Sequence, residues 1–203
     1  FVVITGAVGV LLWLRPEPCE IEWRLLGEGI DVPAVVPGFA HEALMKAGLI
    51  GDPLYRFNEL DSWPSLANWT FESNFTCRGL LRFDFIDTAA VVRVNGVPRQ
   101  SLSAFVPFFV RVNGRTNLRV EIESALSYSE RQAKKYPYTV PMSHYHNTWD
   151  DDGGGNFSGT PNYRNFIRKP ASDFGWDWGP ALVPSGIGEV RFVDCEQDLV
   201  VLV

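Results

Sequence analysis

Between residues 80 and 123 apolar side chains recur at every second position. Leu81, Phe83 and Phe85 alternate with Arg82 and Asp84. Ala90, Val92 and Val94 flank Arg93, and Leu118, Val120 and Ile122 alternate with Arg119, Glu121 and Glu123. A period of two sends successive side chains to opposite sides of an extended chain, so each run reads as a strand with one buried face and one wet face. Asn95-Gly96 closes the second run, and Asn113-Gly114 follows the stretch Phe105 to Val112. Such dipeptides accept the left-handed backbone of a tight hairpin. Val190, Phe192 and Val200 to Val203 supply further strands. Many short strands separated by turn residues predict an all-β fold, an antiparallel jelly-roll β-sandwich with one or two short helices.

The helices are expected near residues 40–47 and 125–135. Ala40, Leu44 and Ala47 have helical spacing after the Pro37-Gly38 turn, and Gly48 stops the run. His41 is expected to be structural, fastening the helix start. Ser124 to Lys135 is closed by Pro137 and Pro141, and the long aromatic, Pro- and Gly-rich stretch from Pro137 to Pro170 reads as a functional loop.

At 203 residues the chain can bury one sizeable core. The expected organisation is an apolar segment over 1–14 followed by one sandwich domain over 15–203. Phe1 to Leu14 is too short to span a bilayer and lacks an initiator Met. It is either the remnant of a signal peptide or the first strand, and its odd start suggests a fragment or an imperfect gene reading.

A formal net charge of -6 argues against nucleic acid, which requires a basic stripe. Cys19, Cys77 and Cys195 are too widely spaced for a metal set and form either one disulfide with an orphan or three buried apolar residues. His144-x-His146 lacks a third ligand nearby. Asp150-Asp151-Asp152 lacks the alternating oxygens of a calcium loop and reads as a solvated acidic run. No metal or cofactor is expected. The sequons at Asn68, Asn74 and Asn156 point to glycosylation and the secretory route.

The run Arg168 to Pro180 sets Asp177 between Trp176 and Trp178, inside a Gly/Pro frame. Indole faces stack on pyranose C–H faces and a carboxylate accepts hydrogen bonds from sugar hydroxyls, so this composition suits a carbohydrate site. A buried Trp pair with a capped Asp fits a bare Trp-Asp-Trp equally well. Asp173 and Asp177 do not form a glycosidase carboxylate pair, because Gly175, Gly179 and Pro180 oppose the helix that would bring them together.

Further segments stand in a familiar order: Val36-Pro37-Gly38-Phe39-Ala40-His41, Gly48 to Glu59 with its Asp52-Pro53 corner, Asn68-Trp69-Thr70-Phe71, Asp87-Thr88, Val94-Asn95-Gly96, Asn165 to Lys169 and Pro184-Ser185-Gly186-Ile187. Together with the Trp-Asp-Trp element, these resemble the N-terminal, galactose-binding-like domain of eukaryotic-type β-mannosidases of glycoside hydrolase family 2, over roughly residues 20 to 195.

That resemblance implies a domain that contributes to the terminal mannose subsite through Asp177. Trp176 and Trp178 would shape its wall, and Arg168 would pair with a carboxylate nearby. It also implies that both catalytic glutamates lie on a (β/α)8 barrel, which takes about 250 residues. The chain would then carry no catalytic residue and be inactive alone. Its partners would be β-mannoside oligosaccharides such as trimmed N-glycans and the enzyme's other domains, with no nucleic acid or membrane. Its location would be lysosomal, vacuolar or extracellular. The rival is a stand-alone carbohydrate-binding or scaffold module. Two positions depart from the family pattern: Ile86 stands where Gly usually precedes Asp-Thr, and Gly188 where an aromatic usually follows Ser-Gly-Ile. The stretch between Cys77 and Leu81 is also shorter than usual.

Overall fold

The computed structural model describes residues 19–55, 63–138, 163–175 and 181–193. Within them the chain is an antiparallel β-sandwich of two unequal sheets. In chain order the elements are β1 (Trp23–Gly27), β2 (Ile30–Ala34), β3 (Gly38–Phe39), α1 (Ala40–Lys46), α2 (Trp63–Leu66), β4 (Trp69–Phe83), β5 (Ile86–Asp87), β6 (Ala90–Val94), β7 (Val97–Ser101), β8 (Phe108–Ile122), α3 (Ala125–Lys135), β9 (Gly186–Ile187) and β10 (Val190–Val193). The larger sheet runs β2-β1-β4-β8-β6-β7, with β10 also on β4, and the smaller runs β3-β9-β5.

The alternation read from the sequence is the reason for this architecture. β4 and β8 pair along their whole length, from Trp69 opposite Ile122 to Phe83 opposite Phe108. Odd positions of β4 (Trp69, Phe71, Phe75, Leu81, Phe83) and even positions of β8 (Val110, Val112, Leu118, Val120, Ile122) point into one core. Leu25, Val92, Ile86, Leu44 and Ile187 join them. Each large apolar side chain so buried contributes about 1.5–3 kcal/mol relative to exposure.

Asn95 and Gly96 form the expected hairpin turn between β6 and β7, with φ of 50° and 85° and Val94 opposite Val97. Asn113-Gly114 does not turn. β8 runs straight through it, with Asn113 opposite Arg78 and Gly114 opposite Cys77, and the inward phase is unbroken on either side. The reason is competition: both flanking runs find their partners in β4, which leaves no pair of neighbouring strands for a hairpin to join.

Both expected helices form. The Glu42 carboxylate accepts from the Phe39 backbone N–H at 2.7 Å, closing the first turn of α1. Glu42 and not His41 therefore fastens this helix start: His41 turns inward, and its Nδ1 has no hydrogen-bond partner among the described residues. Ser124 caps α3, its Oγ accepting from Ser127 N–H at 3.4 Å and donating to the Ser65 carbonyl at 2.7 Å.

Cys19 and Cys77 form a disulfide, which decides between the two cysteine readings for that pair. The two departures from the family pattern sit across one strand pair. Ile86 is fully buried opposite Ile187, while Gly188 donates its N–H to the Phe85 carbonyl at 3.0 Å. A Cβ at 188 would stand 2.5 Å from the Phe85 ring, so Phe85 fills the space an aromatic at 188 would need. Phe1 to Leu14, His144, His146, the Asp150–Asp152 run, Asn156, Trp176 to Trp178, Cys195 and Val200 to Val203 lie outside the described residues.

Candidate functional site

The segment leading to the Trp-Asp-Trp element is built by short-range alternation. After a 3-10 turn over Arg164–Phe166, the backbone extends at Ile167. Ile167 and Lys169 therefore face inward, and Arg168 faces out. Two adjacent cations thus serve opposite sides of the chain.

Arg168 reaches the surface loop between β7 and β8. Its guanidinium lies over the Phe105 ring, 5.6 Å from the centroid, and its carbonyl accepts from Ala104 N–H at 2.9 Å. Asp177, the carboxylate expected beside it, lies outside the described residues.

Lys169 enters the protein and is only 5% exposed. Its Nζ donates to Asp87 Oδ2 and to the Pro184 carbonyl at 2.7 Å, and forms an ion pair with Asp173 Oδ2 at 2.8 Å. Two of the ammonium's donors are thus engaged, and its charge faces two carboxylates. Taking such a charge out of water costs several kcal/mol unless it is paired in this way. Asp87 gains a further bond, the Thr88 hydroxyl donating to Oδ1. Burial pushes the Asp87 carboxyl above its ordinary value, against the downward pull of Lys169 and Thr88. His41 is buried close by and held neutral, its pKa lowered to about 4 first by burial and then by the Lys169 charge.

The same corner secures both flanks of residues 176–180. Ahead of them, a 3-10 turn over Ala171–Phe174 places Asp173 and ends with Gly175 N–H donating to Ser172 O at 3.0 Å. Behind them, Val183 N–H donates to the Asp173 carbonyl at 2.9 Å, and the Leu182 carbonyl accepts from the Ser65 hydroxyl. Phe174, Ala181 and Val183 are buried with Ile167, Ala125 and Leu126 in a second apolar cluster under α3.

The pairing between cation and carboxylate that the sequence suggested for Arg168 is made, among the described residues, by Lys169. One sequence signal could have singled out Lys169: its place two residues after the apolar Ile167. Nothing in the sequence points to Asp87 as the third member, because that contact joins residues 82 positions apart.

Of the sequon asparagines, Asn68 and Asn74 are exposed. Asn68 Oδ1 accepts from Ser124 N–H at 2.8 Å, and Asn74, midway along β4, accepts from Asn117 Nδ2 at 3.0 Å. Two open grooves along β4, one lined by Trp23, Ser73 and Asn74 and the other by Cys77, Gly79 and Phe192, include none of the Lys169 corner. Among the described residues no three His, Cys, Asp or Glu side chains gather as a metal set, and no helix is long and apolar enough to cross a membrane.

Comparison with known proteins places this arrangement. The chain is 34% identical to a β-mannosidase of Rattus norvegicus over a 182-residue alignment that covers 81% of this chain and 20% of that protein. The figure for a β-mannosidase of Mus musculus is 35%, with the same coverage. The crystal structure of a β-D-mannosidase from Dictyoglomus thermophilum superposes with a TM-score of 0.70 at 28% identity, over 85% of this chain and 22% of that one. The chain thus spans about a fifth of the length of the curated relatives it matches. A family profile described as glycosyl hydrolase 2 galactose-binding domain-like matches residues 22–189, and the chain belongs to that family.

Proposed function

We propose that this chain is the domain of a β-mannosidase that contributes to the sugar site, in an enzyme that removes terminal non-reducing β-D-mannose from oligosaccharides, N-glycans among them. Asp177 accepts hydrogen bonds from mannose hydroxyls, Trp176 and Trp178 shape the wall, and Arg168 holds the adjoining surface. The observation that carries this reading is the fixing of both flanks of residues 176–180, by Lys169 and by the Val183 to Asp173 hydrogen bond, in a domain of this family. A short segment anchored at both ends is a sound mount for a group that must meet a sugar hydroxyl within a few tenths of an ångström.

The bond-breaking chemistry belongs to other domains of the enzyme. A retaining glycosidase needs two carboxyl groups about 5–5.5 Å apart, one acting as nucleophile and one as acid/base. In this reading neither lies in these 203 residues. The Cys19–Cys77 disulfide and the exposed sequon residues Asn68 and Asn74 support a secretory, lysosomal or extracellular location, since disulfides persist in oxidising compartments.

The test is a pair of assays on an aryl β-mannoside. The purified chain should give no turnover above buffer. A chimera joining it to the remaining domains of the Dictyoglomus thermophilum enzyme should hydrolyse the substrate. Turnover by the chain alone, or a folded chimera that binds oligosaccharide without hydrolysing it, would contradict the assignment. The second outcome would favour a stand-alone binding module.

A further inference from the structure

β4 is zipped to β8 along one edge, whereas its other edge is paired only at its ends. β1 meets it at Thr70 to Glu72 and β10 at Leu80 to Phe83, and among the described residues no strand pairs with the stretch between. Asn74 and Thr76 lie in that stretch, both exposed on the wet face. The two open grooves along β4 share Glu22 and Asn74 in their linings, so Asn74 stands where they meet.

The Asn74 amide is oriented by its neighbour. Asn117, directly opposite on β8, donates from Nδ2 to Asn74 Oδ1 at 3.0 Å and to Glu72 Oε1 at 2.7 Å. Oxygen and nitrogen occupy opposite branches of a planar amide, so the bond that draws Oδ1 toward β8 turns Nδ2 to the side of the grooves. A sugar attached at Nδ2 leaves Oδ1 an acceptor, and the cross-strand bond is kept.

The surrounding face has the composition of a surface that stays in water. Arg93 and Glu121 pair across it at 2.9 Å, with Glu72 and Arg119 beside them, all partly exposed. Among the described residues, none of the exposed large apolar side chains belongs to β4 or β8. The cores of protein interfaces are depleted in charge and enriched in aromatic side chains, the opposite of this face.

We propose that Asn74, in its Asn-Phe-Thr sequon, carries an N-linked glycan over the wet face of the large sheet, and that this face is the solvent side of the complete enzyme. The transfer joins Nδ2 to the anomeric carbon of a lipid-diphosphate-linked oligosaccharide. The anomeric C–O bond to the diphosphate breaks, and one amide proton leaves with the lipid diphosphate.

The inference rests on the secretory location read above, so the test supplies the route: the chain and the chimera are each made behind a host signal peptide in a eukaryotic secretory host. Peptide mapping by mass spectrometry should find a glycan on Asn74 in both proteins. Thr76→Ala, an exposed change that destroys the sequon, should remove that glycan, and Thr76→Ser should keep it. The glycosylated chimera should match its Thr76→Ala form in kcat/KM and be no lower in Tm. A bare Asn74 would overturn the site. A lower kcat/KM or Tm in the glycosylated chimera than in Thr76→Ala would overturn the solvent-side assignment. Asn74 occupied and Tm equal in a chimera inactive in both forms would uphold this inference and refute the proposed enzyme instead. An occupied Asn74 here, with the natural protein found outside the secretory route, would refute only the location.

Discussion

The slab formed by β4 and β8 and the corner around Lys169 both bury side chains, and they are held together by different physics. In the slab, each position is replaceable by another apolar side chain of similar volume, and the energy is a sum of many similar burials. In the corner, one cation, two carboxylates and a carbonyl must match atom for atom, and removing any one leaves the others exposed to a low-dielectric interior. The slab tolerates change in kind and resists loss of volume. The corner tolerates neither loss nor reversal of a charge, yet it should accept the removal of all charges at once.

The largest effect that tests this contrast is a cavity in the slab. Phe71 is fully buried, paired with Val120 on β8 and Leu25 on β1. Phe71→Ala should cost about 3–5 kcal/mol by urea unfolding of the whole chain. A loss under about 1 kcal/mol would mean that the slab is not the main source of stability.

Next comes acid. His41 is buried neutral, with its pKa lowered to about 4, so the unfolded chain binds a proton more readily than the folded one. Its contribution is complete above about 6.5 and is lost as pH falls from there toward 4, by about 3 kcal/mol in all. Asp87 shifts the other way, so its protonation at lower pH favours the folded state and partly offsets the loss. Unfolding free energies measured between pH 7 and pH 4 should therefore fall more steeply for the parent than for His41→Leu. Parallel curves would show that the corner does not exclude the imidazolium.

The sequence made the slab legible and left the corner mostly hidden, for a physical reason. Alternation is a local signal, so Leu81 and Phe83, or Leu118 and Val120, announce the face they bury without knowledge of their partners. The same locality let Ala40 to Ala47 and Ser124 to Lys135 be read as helices. It failed at Asn113-Gly114, because the dipeptide's turn preference is overridden by a partner strand that the local sequence does not name. In the corner, the Arg168-Lys169 pair reads as two equivalent cations until the burial of Ile167 sets the phase that sends Lys169 inward. Asp87 belongs to a motif by resemblance, but its partner was not foreseeable from spacing. His41 was expected to fasten the helix start, but Glu42 makes that bond and His41 is buried beneath it instead.

The smallest effect tests a place where the local turn signal decides the structure. Gly96 sits at φ 85° with nothing within 4 Å of a Cβ built on it, so Gly96→Ala meets no steric clash with its surroundings and only the left-handed backbone penalty. That penalty is about 1–2 kcal/mol, read as a small drop in unfolding free energy with β6 and β7 still paired. A drop as large as that of Phe71→Ala would show that the hairpin is coupled to the slab far more tightly than its edge position suggests.

The central claim is that this domain places Asp177 against the substrate, and kcat/KM of the chimera for an aryl β-mannoside tests it most directly. A hydrogen bond to a charged group is worth about 1.5–3 kcal/mol, and about 1.4 kcal/mol is a factor of ten in rate. Asp177→Ala should therefore lower kcat/KM more than tenfold with the fold intact, while Asp151→Ala, in the acidic run that the sequence reads as a solvated loop, should leave it nearly unchanged. Near-full kcat/KM in a folded Asp177→Ala chimera would contradict the account and make the carboxylate between the two tryptophans a structural one.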